Sequence, residues 1–148
     1  MDREQLINEI LDDLSFLPKD IPGIFLYGSY GSGSADERSD IDICLVSGTN
    51  IDPQSLQVRA WRNITSEKYD IRIFELLPLF IQIQILNNGL LIYAPDPPAL
   101  YEYLYRFWKR WDDQRWYQTP IHGEHSGDKI RMEKDPWRSY CKRDLYHT

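Results

Sequence analysis

The sequence predicts an α/β fold: a small mixed β-sheet with helices packed on one face, a C-terminal aromatic helix and an irregular tail. Two observations carry this. Short apolar runs bounded by Gly, Pro, Asn and Asp alternate with longer segments of helical period. The 148 residues are 42 % hydrophobic and 27 % charged, the balance of a soluble single domain with a modest core. No stretch approaches the ~20 apolar residues of a membrane span, and the start of the chain, acidic and amphipathic, does not read as a signal peptide. Two cysteines, Cys44 and Cys141, suit reduced thiols in a cytoplasmic protein.

The elements follow in order. Leu6, Ile7, Ile10, Leu11, Leu14 and Leu17 recur at helical spacing, predicting an amphipathic helix over roughly 2–16 that Pro18 and Ile21-Pro22-Gly23 stop. Residues 24–27 form a short buried strand that ends in a glycine-rich turn over 28–34. Residues 41–46 form a second strand, closed by Ser47-Gly48-Thr49-Asn50. Asp52 and Pro53 are an N-cap and first-turn proline for a helix over about 53–63. A third strand over 69–76 puts Asp70, Arg72 and Phe74 on one face and Ile71, Ile73 and Glu75 on the other.

Residues 78–88 alternate like a strand, yet Pro78 and Asn87-Asn88-Gly89 are helix punctuation, and the helix is preferred. A fourth strand spans 90–93. Leu100, Leu104, Phe107, Trp108 and Trp111 then share one helical face. The organisation is a core over 1–95, an aromatic helix over 96–116 and an irregular tail over 117–148. The aromatics read first as core or intra-chain packing, with a partner surface as the alternative.

Chemistry concentrates in residues 28–42. Glycines let backbone amides approach phosphate oxygens, and a nest of such amides attracts anions. Ten residues separate Ser29 from Asp40, and Asp40 and Asp42 open the second strand at alternate positions. Side chains at i and i+2 of a strand point the same way, so both carboxylates face one point. Converging carboxylates beside a phosphate cradle are what Mg²⁺ needs to bridge protein and triphosphate.

Gly28-Ser29 followed by Asp40-Ile41-Asp42, between two strands and after an amphipathic helix, resembles the nucleotidyltransferase (DNA polymerase β-like) superfamily. The nearest likeness is the minimal nucleotidyltransferase (MNT) group, which includes the MntA-type antitoxins paired with HEPN-domain toxins. The resemblance covers residues 1 to about 95, including Asn88-Gly89-Leu90-Leu91-Ile92-Tyr93. It implies a polymerase β-like fold and ATP as substrate, with phosphate contacts from Gly28, Ser29, Gly31, Ser32, Gly33 and Ser39. It implies one or two Mg²⁺ ions on Asp40 and Asp42, with Asp70 as the third carboxylate that ligates metal or positions the attacking hydroxyl; Glu75 is the reserve.

Many relatives carry Ala-Arg-Gly where this chain has Gly31-Ser32-Gly33. The missing cation weakens the phosphate grip or passes that role to Arg38 or Lys68.

The implied function is Mg²⁺-dependent adenylyl transfer to a HEPN-type toxin, neutralising it. A second reading is a catalytically weak nucleotide-binding module that caps a partner directly; a third is transfer to a small molecule. A homodimer stays open as the working unit. The net charge of −6, with 11 Lys and Arg against 18 Asp and Glu over residues 1–116, argues against specific nucleic-acid binding. His122 and His125 have a spacing that could clasp a metal, but no further ligands gather near them in sequence, and they read as exposed tail histidines.

Overall fold

Apolar side chains on both faces of four short strands build the sheet. In the computed structural model, residues 2–28, 40–64 and 66–118 are described, with side chains as far as Gln114. The glycine-rich segment 29–39 and the tail from 119 onward, with the expectations placed on them, lie outside the described residues.

The strands are β1 (Gly23–Tyr27), β2 (Ile41–Val46), β3 (Tyr69–Ile73) and β4 (Leu90–Tyr93), in spatial order β3-β2-β1-β4. β1 runs antiparallel to β2 and β4, and β2 runs parallel to β3, so the sheet is mixed as expected. The parallel pair needs a crossover, which α2 (Pro53–Asn63) supplies.

Local chemistry sets the helix boundaries. In α1 (Arg3–Asp13), Asp2 accepts from the Gln5 backbone N–H at 2.8 Å while the Gln5 side chain accepts from the Asp2 N–H at 3.4 Å, a reciprocal capping box. Asp52 caps α2 by accepting from the Ser55 N–H at 2.9 Å, with Pro53 at the first helical position. The ambiguous segment after Pro78 is α3 (Leu79–Asn88), ended by Gly89, whose N–H donates to the Ile85 carbonyl at 2.7 Å. The aromatic helix is α4 (Pro97–Gln118).

Both faces of the sheet are covered, which corrects the expectation of helices on one face. Ile24 and Leu26 of β1, Ile41, Ile43 and Leu45 of β2, and Ile71 and Ile73 of β3 pack with α1 and α2. The intervening Phe25, Cys44 and Val46 pack with Phe74, α3 and α4. β2 is apolar at every position but Asp42, the mark of a strand buried on both sides, and that continuity was the available signal. Leu100, Leu104 and Trp108 of α4 are buried in this second layer, so these aromatic-helix residues serve the core.

β3 is also shorter than expected. It stops at Ile73, and Phe74–Leu76 form a 3-10 turn. Phe74 still reaches the second core layer, where its ring meets Phe107 edge-on at 4.9 Å.

Candidate active site

Strand pairing puts three side chains in one row across the sheet. Tyr27 at the end of β1 is opposite Asp42 of β2, and Asp42 is opposite Asp70 of β3. Strand alternation aims Tyr27, Asp42 and Asp70 to the face that carries Phe25, Cys44 and Val46. α3 and α4 pack on that face beside β1, and contacts of α3 with β1 hold them there.

Asp42 is the electrostatic centre. Its carboxyl is held above the usual 3.8, first by burial, then by the charges of Asp70 and Asp40 and a hydrogen bond shared with Asp70; Arg72 pulls the other way. The Tyr27 phenol is pushed upward as well, chiefly by burial and then by Cys44, Asp42 and Asp70. Asp40 is exposed at the entrance to β2, where the Ile41 N–H extends the sheet by donating to the Lys68 carbonyl at 2.9 Å.

Gly28 follows Tyr27 directly and has φ +68°, the left-handed region. A Cβ there would collide with Oδ2 of Asp42. Gly28 therefore lies directly against the Asp42 carboxylate, in a backbone conformation that favours glycine.

Of the sequence-predicted residues, Asp42, Asp70 and Gly28 come together, and Asp40 flanks them within electrostatic reach of Asp42. Ser29, Gly31, Ser32, Gly33 and Ser39 lie outside the described residues, as does Arg38. Among the described residues no three His, Cys, Asp or Glu side chains gather as a ready metal site. The arrangement is a carboxylate pair with a third acid beside it.

Two alternatives raised by the sequence are engaged elsewhere. Glu75 accepts from the backbone N–H groups of Ser47 at 3.0 Å and Gly48 at 3.1 Å, and from the Tyr103 hydroxyl at 2.7 Å. It thus ties the far end of β2 to α4. Lys68 pairs with Glu9 of α1 at 3.2 Å, toward the opposite layer.

The sequence reasoning assigned no role to Tyr27 or Arg72. Arg72 lies two residues beyond Asp70 on the same pleat face, and its Nε donates to Asp70 Oδ1 at 3.1 Å. The i, i+2 relation to a candidate carboxylate was the readable sign. Tyr27 carried none, because its place depends on the β1–β2 register.

Comparison with known proteins identifies the family. Residues 6–98, from α1 to the start of α4, match the family described as Polymerase beta, Nucleotidyltransferase. A protein of Methanocaldococcus jannaschii, provisionally named a protein adenylyltransferase, is 43% identical over 91 residues, covering 62% of this chain and 70% of the relative. Among solved structures, a chain of a toxin–antitoxin complex with AMP-PNP aligns with a TM-score of 0.58 at 20% identity, covering 78% of this chain and 94% of that one. A chain from the complex of tri-AMPylated Shewanella oneidensis HEPN toxin with its MNT antitoxin aligns with a TM-score of 0.58 at 16% identity, covering 81% and 95%. At such identities these two structures share the fold. The family match, which spans all four strands and more than half of the chain, establishes that it belongs to the polymerase β nucleotidyltransferase family of transferase enzymes.

Proposed function

We propose that this chain is a Mg²⁺-dependent adenylyltransferase that moves AMP from ATP to a hydroxyl of a HEPN-type toxin and neutralises it in the cytoplasm. The observation that carries the reading is the Asp42–Asp70 pair beneath the Gly28 turn. Its donors are hard carboxylate oxygens; burial first, and then the charges of Asp70 and Asp40, hold the Asp42 carboxyl above its usual value, and a divalent cation would offset that charge. The site residues therefore suit Mg²⁺, which Asp42 and Asp70 would hold with Asp40 beside them. When bound, the ion supplies charge stabilisation for the α-phosphate and the leaving pyrophosphate.

The chain's own groups account for the rest. Gly28 leaves room for backbone to approach the phosphates beside Asp42. Asp70, braced by Arg72, orients the acceptor hydroxyl or takes its proton as the oxygen attacks the α-phosphorus and pyrophosphate departs. The protein acceptor is supported by the name of the M. jannaschii relative, and the toxin partner by the antitoxins that share the fold.

The test is incubation of the protein with α-labelled ATP and Mg²⁺ in the presence of a HEPN-domain protein, comparing wild type with Asp40→Ala/Asp42→Ala. Label on the HEPN protein that disappears in the double variant supports the reading. A folded wild type that transfers no label, or transfer that survives the double substitution, removes it.

A further inference from the structure

Asp42 and Asp70 face each other at the end of β2 with Asp40 beside them, and a nucleoside triphosphate would bring more negative charge to the same place. Among the described residues, Arg72 is a basic side chain joined to this pair. It lies on the same sheet face as Asp42 and Asp70, and its Nε is engaged with Asp70 Oδ1 at 3.1 Å. Its side chain is 55% exposed, so the guanidinium has an open approach. Lys68, the neighbouring cation in sequence, is directed to Glu9 instead.

A guanidinium has five N–H donors in a rigid fork, and Nε uses only one. Among the described residues, the ion pair of Arg72 is with Asp70 through Nε, so the Nη groups of this half-exposed side chain are not taken up by that pair. The edge they form is shaped for phosphate oxygens, in a way that a lysine ammonium does not reproduce.

We infer that Arg72 binds the pyrophosphate portion of the nucleoside triphosphate through its Nη groups while its Nε holds Asp70 in place. One side chain then links the carboxylate pair to the most highly charged part of the substrate. The inference rests on the nucleotidyl-transfer reading and adds to it a residue that distinguishes triphosphate from monophosphate.

Calorimetric titration of the full chain with ATP and with AMP, each with Mg²⁺ and no acceptor protein, tests it. Arg72→Gln is expected to weaken ATP binding about 10- to 100-fold, the scale of a charged hydrogen-bonded contact, and to leave AMP binding within about twofold. Arg72→Lys should recover part of the loss, since charge returns without the fork. Equal weakening of ATP and AMP would show that Arg72 acts only through Asp70 and would overturn the assignment, as would unchanged ATP binding. If the folded wild type binds no ATP, the nucleotidyl-transfer reading falls and the Arg72 assignment falls with it. Thermal melts of both variants separate these results from misfolding, and the exposed position of Arg72 predicts small changes.

Discussion

Asp42 and Asp70 stand directly opposite each other in the parallel ladder between β2 and β3, with their side chains on one face of the sheet. Parallel neighbours at this separation place like charges in contact, and such cross-strand pairs are destabilising unless something relieves them. Here Arg72 relieves part of the strain from one side, through Asp70. The folded protein keeps an unfavourable charge arrangement at one end of the sheet, as binding sites for cations do.

The first prediction concerns Asp42→Asn. The Asp42 carboxyl is raised above 3.8 in the folded protein, so the folded state holds that proton more tightly than the unfolded chain does. This contribution to stability is fully present below pH 3.8 and is lost as pH rises through the raised folded value. Asp42→Asn should therefore melt higher than wild type at neutral pH, with the gap closing toward pH 3.8. Mg²⁺ should raise the wild-type melting temperature and leave the variant's nearly unchanged. A variant less stable than wild type at pH 7 would contradict the charge-crowding account.

Gly28→Ala probes the turn above the carboxylate. The φ of +68° disfavours any side chain, and the new Cβ would meet Asp42 Oδ2. A cost of about 1–3 kcal/mol in urea unfolding is expected. Transfer activity should fall more than stability does, because relief of the clash displaces Asp42. Retention of full activity alongside the stability loss would show that the Asp42 position tolerates such movement.

Lys68→Ala asks whether the sequence-level alternative of a phosphate-binding lysine has substance. Its ammonium pairs with Glu9, and both side chains are about two-fifths exposed, at 42% and 41%. Stability should change by no more than about 0.5 kcal/mol, the scale of an exposed pair. ATP affinity should stay at the wild-type level in the same titration that tests Arg72. A tenfold or greater loss of ATP affinity would return Lys68 to the site.

The contrast between these two basic residues shows what could be read from the sequence. Gly28, Asp40, Asp42 and Asp70 stood out because glycine-rich turns, alternate aspartates and strand parity are local patterns. The boundaries of β2, α2 and β4 were legible for the same reason, since turn residues and caps sit beside them. What depended on pairing between distant segments was not legible. Tyr27 joins the row only through its register with Asp42. The second helical layer depends on α3 and α4 folding back across Phe25 and Cys44. In a strand that ran on to residue 76, Glu75 would have the pleat parity opposite to that of Asp70. The 3-10 turn after Ile73 instead carries Glu75 to the amides of Ser47 and Gly48.

Glu75 supplies the last prediction. Its carboxylate accepts two backbone N–H groups where β2 ends and a hydroxyl from α4, so it joins three elements far from Asp42 along the strand. Glu75→Ala leaves the Ser47 and Gly48 amides and the Tyr103 hydroxyl without that acceptor, in a region where Ser47 is 1% exposed. The expected cost is about 2–3 kcal/mol. Tyr103→Phe removes the α4 donor alone and should cost about 1 kcal/mol. Because the residues share one carboxylate, the double variant should cost clearly less than the sum of the two. ATP binding by the folded fraction should remain at the wild-type level in both variants, since the clamp lies beyond the other end of β2 from Asp42. A selective loss of ATP binding in either variant, with the melting curve little changed, would instead draw Glu75 back into the site.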